Sequence, residues 1–181
     1  MKVIRTEIPE VLLLEPRVFE DARGVAFESY NRRTFKEVTG LDPQFVQDNR
    51  STSKKSVLRG LHYQVEKSQG KLITALRGEI YDVAVDLRRG SPTFGKWVGF
   101  RLTEANRRMA WIPRGFGHGF LTLSDSADVV YKLDEFWSPP HERTIAWDDP
   151  EIGIRWPLHG EPILSDKDRR GARLQGADLF E

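Results

Sequence analysis

An all-β sandwich or barrel is the fold class this sequence predicts, and three observations carry the expectation. Short segments that alternate or run apolar, rich in β-branched and aromatic residues, recur along the chain and end at Gly, Pro, Asp or Asn. Helical periodicity is sparse. At 181 residues the chain has the length of one ordinary domain with a real core, so a single domain over residues 1–181 is expected.

Residues 11–14 form the first apolar run, and residues 24–30 follow it as a candidate strand. Residues 31–39 interleave Phe35 and Val38 with charged positions and stop at Gly40, which predicts a short surface helix with a glycine cap. Residues 71–76 resume the strand pattern. In residues 80–87, Tyr81, Val83 and Val85 share one face and Asp82, Ala84 and Asp86 the other, so two carboxylates point the same way. Residues 88–95 are turn-rich. Strands are then expected over 97–102, 108–112, 119–124 and 129–133. Beyond Pro157 the chain turns polar and basic, and Ser165 reads as the cap of a short helix through Arg170.

Composition narrows the function. Twenty-eight Lys and Arg against 27 Asp and Glu leave a formal charge of +1, which offers no broad field for nucleic acid or anionic lipid, so neither partner is expected. The absence of cysteine removes disulfides, thiolate nucleophiles and cysteine-rich metal sites, and suits a reducing cytosol. The early apolar run is too short for a signal core or a membrane span, so a soluble, cytoplasmic protein is expected.

Two of the four histidines lie in apolar, glycine-flanked strand contexts. His62 stands in Arg59-Gly60-Leu61-His62-Tyr63-Gln64, and His118 in Pro113-Arg114-Gly115-Phe116-Gly117-His118. The second segment has the Pro-x-Gly-x-x-His spacing of the second cupin motif, and the first falls where cupins place a metal-binding His-x-His. Position 64 is Gln, however, and no Glu follows at the usual spacing, so no metal is expected. An imidazole without a metal still suits general-base work at neutral pH, with an ordinary pKa near ~6.5. Arg59, three residues before His62, would face the other way in a regular strand unless a bulge at Gly60 re-aims one of them. A guanidinium there suits a phosphate-bearing ligand, and Lys71 adds a second cation nearby. His141 and His159, in Pro-rich loop segments, are expected to face solvent. Phe19, Phe27 and Phe116 are expected in the core or an interface.

A longer series of blocks is specific enough to name a family. Asp21-Ala22-Arg23-Gly24, Phe45-Val46-Gln47-Asp48-Asn49, Val57 to Gln64, Gln69-Gly70-Lys71, Asp82 to Arg88, Gly90 to Gly95, Trp111 to Phe120, Tyr131-Lys132, Trp147 to Pro150 and Leu164 to Asp168 occur in order. Along essentially its whole length the chain closely resembles the dTDP-4-dehydrorhamnose 3,5-epimerases, which have a cupin-type jelly-roll fold. The resemblance implies a cofactor-free isomerase that inverts carbons 3 and 5 of a dTDP-4-keto-6-deoxy sugar by deprotonation and reprotonation.

It also implies residue roles. His62 would be the base and Asp168 its carboxylate partner, which requires the tail beyond about residue 160 to fold over the barrel mouth. On its own Asp168 reads as a helix-start residue favoured by the macrodipole. Tyr131 would be the opposite-face proton donor and Lys71 would offset charge on the enolate. Arg23, Glu28, Gln47, Asp48, Asn49, Arg59, His118, Glu142 and Lys167 would contact the nucleotide sugar, and Trp137 would stack on thymine. The family implies a homodimer in which an N-terminal segment, residues 11–28, crosses to the partner. Three alternatives stay open: an epimerase inverting a single carbon of a related sugar, a metal-dependent cupin enzyme, and a non-catalytic sugar-nucleotide binding module.

Overall fold

The computed structural model describes residues 1–181 as two stacked antiparallel sheets. The strands are β1 (Lys2–Arg5), β2 (Leu12–Glu15), β3 (Val18–Asp21), β4 (Gly24–Phe27), β5 (Gln47–Lys54), β6 (Leu58–Gln64), β7 (Lys71–Arg77), β8 (Glu79–Asp86), β9 (Trp97–Thr103), β10 (Met109–Ile112), β11 (Phe116–Thr122), β12 (Ser126–Leu133) and β13 (Glu142–Thr144). Two short helices are α1 (Arg32–Thr39) and α2 (Asp166–Arg169). One sheet runs β1-β2-β10-β7-β12-β5 and the other β13-β6-β11-β8-β9, while β3 and β4 pair only with each other. This is the predicted cupin-type jelly-roll sandwich.

Strand alternation explains how three apolar clusters share two sheets. Ile80 and Ala84 of β8 face the space between the sheets, where they meet Ile73, Ile112, Phe120 and Val129. Val83 and Val85 face outward beneath Ile145, Ile152 and Leu174, so the C-terminal segment covers the outside of the second sheet. On the outside of the first sheet, Leu12, Leu14, Leu72 and Trp111 pack against Phe35 of α1. That helix starts where Asn31 Oδ1 accepts the Thr34 N–H at 3.1 Å and ends at Gly40, whose φ of 77° the glycine adopts without steric cost. Although it lies at the surface, α1 has a fully buried Phe35.

The β5 strand is the main element that apolar patterning does not reveal. Its sequence, Gln-Asp-Asn-Arg-Ser-Thr-Ser-Lys, is polar throughout, yet it pairs along its whole length with β12. As the edge of its sheet it has one bonded neighbour, so pairing rather than apolar burial holds it. The expected strand over residues 24–30 is shorter, ending at Phe27 before the helix cap.

Candidate active site

A cavity of about 380 Å³ opens at one end of the sandwich, a volume that suits a small-molecule ligand. Gln47 and Asn49 enter it from β5, Arg59 and His62 from β6, Lys71 from β7, His118 from β11 and Tyr131 from β12. Trp137, Glu142 and Lys167 complete the rim.

Arg59 and His62 reach the same cavity because β6 bulges. Opposite them on β11, His118 pairs with His62 and Phe120 with Arg59, so Gly60 and Leu61 together oppose the single residue Gly119. Gly60 permits this: its φ is 119°, and a Cβ there would sit 2.6 Å from Gly119 Cα and His118 O. Arg59 Nε donates to Ser53 Oγ at 3.0 Å.

His62 Nε2 lies 2.5 Å from Asp168 Oδ1. Asp168 is buried, and burial alone would raise its pKa. Hydrogen bonds from His62, Ser165 Oγ and the Gly60 N–H, with the charge of His62, instead hold it below the ordinary carboxylate range. An ionised carboxylate only accepts, so Nε2 carries the hydrogen and Nδ1 of the neutral ring keeps its lone pair. Burial also lowers the His62 pKa, an effect that the Asp168 hydrogen bond opposes and the charge of Lys167 adds to. The tail therefore does fold back across 106 positions. Ser165 caps α2 by accepting from the Asp168 N–H at 3.2 Å, which fixes the carboxylate.

Lys71 is buried beside this pair, and Nζ donates to His62 O at 3.3 Å. Burial brings its pKa down to about 8, against the opposing charges of Asp82 and Glu142. The ring of His118 is buried, and its Nε2 is 2.9 Å from Asp82 Oδ2 on the neighbouring strand. Glu142 pairs with Lys167 at 3.0 Å, joining β13 to the tail at the rim. Trp137 is 55% exposed, and its backbone N–H donates to Gln47 Oε1 at 3.0 Å.

Three expected contact residues lie elsewhere in this chain. Asp48 points to the opposite face of β5 from Gln47 and Asn49, as period-two alternation requires, and binds Lys132 Nζ at 2.7 Å. Arg23 sits at the tip of the β3–β4 hairpin with its side chain 90% exposed, held by Asp21. Glu28, just after that hairpin, accepts from Asn31 Nδ2 at 2.8 Å. His141 does not face solvent freely: it is half-buried, with Nδ1 2.8 Å from Ser138 Oγ and Nε2 3.3 Å from Glu66. His159 is exposed as expected. Phe116 is in the core, whereas Phe19 and Phe27 are exposed on the hairpin.

Sequence reasoning passed over Asp82 as a partner for His118, and Gln64 and Gln69 as cavity residues. The inward face of β8 was the available signal for Asp82. Gln64 occupies the position of a cupin metal ligand but spends its amide on backbone groups, and no three His, Cys, Asp or Glu side chains converge anywhere in the chain.

Fold and site together define a cupin-like β-sandwich whose mouth gathers an imidazole–carboxylate pair, a phenol and a buried ammonium around one cavity. The dTDP-4-dehydrorhamnose 3,5-epimerase family model matches residues 5–176, and the chain belongs to that family of isomerases. It is 58% identical over 180 residues to the dTDP-4-dehydrorhamnose 3,5-epimerase of Pseudomonas aeruginosa, covering 99% of each chain. It matches the crystal structure of the dTDP-6-deoxy-D-glucose-3,5-epimerase of Legionella pneumophila in complex with dTDP-4-keto-L-rhamnose. That match has a TM-score of 0.97 and 46% identity, over 99% of this chain and 97% of the other. The 3'-monoepimerase ChmJ of Streptomyces bikiniensis, in complex with dTDP-quinovose, matches with a TM-score of 0.89 and 34% identity, over 97% and 88%.

Proposed function

We propose that this chain converts dTDP-4-dehydro-6-deoxy-D-glucose to dTDP-4-dehydro-L-rhamnose by inverting carbons 3 and 5, a step of dTDP-L-rhamnose biosynthesis. The observation that carries the reading is the 2.5 Å His62–Asp168 pair sharing a cavity with Lys71 and Tyr131, in a chain 58% identical to a relative of that name.

The 4-ketone acidifies the hydrogen on each adjacent carbon. His62 Nδ1 takes one such proton, the C–H electron pair moves into the enolate, and the negative charge comes to rest on the ketone oxygen. Protonated Lys71 stabilises that oxygen in a site largely shielded from water, where a fixed charge acts strongly. Tyr131 returns a proton from its hydroxyl to the opposite face of the carbon. His62 then releases its proton to solvent and Tyr131 regains one, after which the second carbon follows the same course. Asp168 keeps the ring in the productive tautomer and stabilises the imidazolium. Arg59 and His118 would hold the diphosphate, and Trp137 the thymine face. The whole of residues 1–181 acts as one unit in this reading, since the base comes from β6 and its partner from the tail. No metal or organic cofactor takes part.

The working unit in this reading is a homodimer. Phe19, Val25, Phe27 and Leu76 leave an apolar surface open at 56%, 44%, 38% and 53% exposure. A second copy seated there would carry Arg23 and Glu28 toward its partner's cavity, which accounts for their distance from the site within one chain. No helix is long and apolar enough to cross a membrane, and the cysteine-free composition suits the cytoplasm.

Chelator-treated protein incubated with the 4-keto-6-deoxy-glucose nucleotide in deuterated water tests the reading by NMR. Exchange at both carbons, with the L-sugar accumulating when a reductase traps it, is expected. Exchange at one carbon would assign the chain to single-carbon epimerases such as the one in the ChmJ comparison. Activity that returns only on adding metal would revive the metal-dependent cupin.

A further inference from the structure

Past Asp134, whose N–H still donates to Gly70 O, residues 135–138 lead to a short 3-10 turn at Pro139–His141 and adopt neither helix nor strand, so no ladder takes up their backbone polar groups. Three glutamine amides take that place. Gln69 Nε2 donates to Glu135 O at 2.9 Å, and Gln64 Nε2 donates to Phe136 O at 3.2 Å while its Oε1 accepts from the Ser138 N–H at 2.8 Å. Gln47 Oε1 accepts from the Trp137 N–H at 3.0 Å. Four consecutive residues are thus held by side chains from β5, β6 and the loop before β7, with the exposed indole of Trp137 at the centre.

Gln64 is the keystone of this set. It is 2% exposed, and its amide makes a further bond to Lys67 O at 2.7 Å, so each of its polar atoms is engaged with backbone and none is left for a ligand. It also brackets Trp137 on both sides, through Phe136 O and Ser138 N.

We infer that Gln64 is a positioning residue for nucleotide recognition: it sets the backbone that presents Trp137, so that the indole is ordered before a pyrimidine stacks on it. This rests on the proposed thymine contact of Trp137. An indole on an irregular loop loses freedom when a base stacks, and a loop already fixed by buried hydrogen bonds has less to lose. The same side-chain position that supplies a metal ligand in cupins with His-x-His is here turned to holding the loop.

The test is titration of dTDP alone, by calorimetry, into wild type, Gln64→Met, Trp137→Ala and the double variant, with steady-state kinetics beside it. Met keeps the length of Gln and removes the amide. Gln64→Met should weaken dTDP about tenfold, within the range of one base–aromatic stack, and raise KM by a similar factor with kcat within about threefold. The double variant should bind no more weakly than Trp137→Ala, because one interaction is lost only once. Wild-type affinity in Gln64→Met, or losses that multiply in the double variant, would overturn the inference. If Gln64→Met does not fold, Gln64→Glu, which keeps an acceptor for the Ser138 N–H and removes the amide donors to Phe136 O and Lys67 O, carries the same comparison with the same outcomes decisive. A Trp137→Ala protein that binds dTDP like wild type would instead remove the base contact on which the inference rests.

Discussion

The histidines of two histidine–aspartate pairs stand opposite one another on β6 and β11, with His62 in register with His118. The pairs share the same groups and differ in everything around them. The His62 ring is 27% exposed, and its carboxylate arrives from a tail 106 residues away with both oxygens engaged, by His62 and the Gly60 N–H on one side and Ser165 on the other. The His118 ring is 8% exposed, its carboxylate sits on the adjacent strand of the same sheet, and Asp82 Oδ1 has no hydrogen-bond partner in the chain. An imidazole is made a base by access to a substrate and by a satisfied, ionised partner, not by the pairing alone. His62 lines the cavity with a satisfied carboxylate partner, which suits the base role proposed for it, whereas His118 is held from within the sheet, which suits a proposed ligand contact.

Removing the rings separates the two roles. His62→Ala is expected to lower kcat/KM by about 10⁴-fold and to abolish deuterium exchange into substrate. His118→Ala should act mainly on KM, by roughly tenfold, as the loss of one hydrogen bond to a charged ligand would. Equal losses of exchange in both variants would show that the pairs work as one relay and break the comparison.

Lys71 lies beside the His62 pair and carries a different cost. Its pKa of about 8, against an ordinary 10.5, means the fold would be more stable without a buried ammonium. Lys71→Met should lower kcat about 10²- to 10³-fold while stabilising the fold by about 1–3 kcal/mol, read by denaturant unfolding near pH 7. A variant that loses both activity and stability would show that the ammonium serves the fold and not the enolate.

The pH profile follows from the same groups. In the proposed reaction the base is neutral His62, and burial lowers its pKa, so kcat/KM should fall only on the acid side of the ordinary histidine value near 6.5. The same proposal requires protonated Lys71, so an alkaline limb is expected near pH 8. Asp168 raises the His62 pKa, so Asp168→Asn should shift the acid limb to lower pH while reducing the plateau by about 10²-fold. An unshifted limb would assign that ionisation to another group.

How much of this could be read beforehand depends on the range of the signal. Alternation in residues 80–87 correctly sorted Val83 and Val85 from Asp82 and Ala84, and Asn31 and Gly40 bounded α1, because these patterns are local. The polar edge strand β5 carried no apolar period to read. A bulge at Gly60 was foreseeable only as a condition for Arg59 and His62 to share a face. The Asp168 partnership was legible through family resemblance alone, since nothing in a four-residue helix points across 106 positions. Asp48 shows the converse: the resemblance implies contacts at three consecutive residues, whereas within one chain a strand turns only alternate ones toward a cavity.

Asp48 therefore gives the smallest expected effect and the control for the whole scheme. It lies on the face of β5 away from the cavity, more than half exposed, and its partner Lys132 rests 5.9 Å from the centre of the Tyr30 ring. Exposed pairs of this kind contribute at most about 1 kcal/mol, so Asp48→Asn should leave the unfolding midpoint nearly unchanged and move KM less than about threefold. Asn49→Ala, one residue on but facing the cavity, should raise KM by about five- to tenfold, as the loss of a neutral hydrogen bond would. If Asp48→Asn matches or exceeds Asn49→Ala in KM, the outer face of β5 must meet the ligand in the assembled enzyme. In the proposed dimer, Arg23 and Glu28 of a second copy would then close the site from that side rather than from the end of the sandwich.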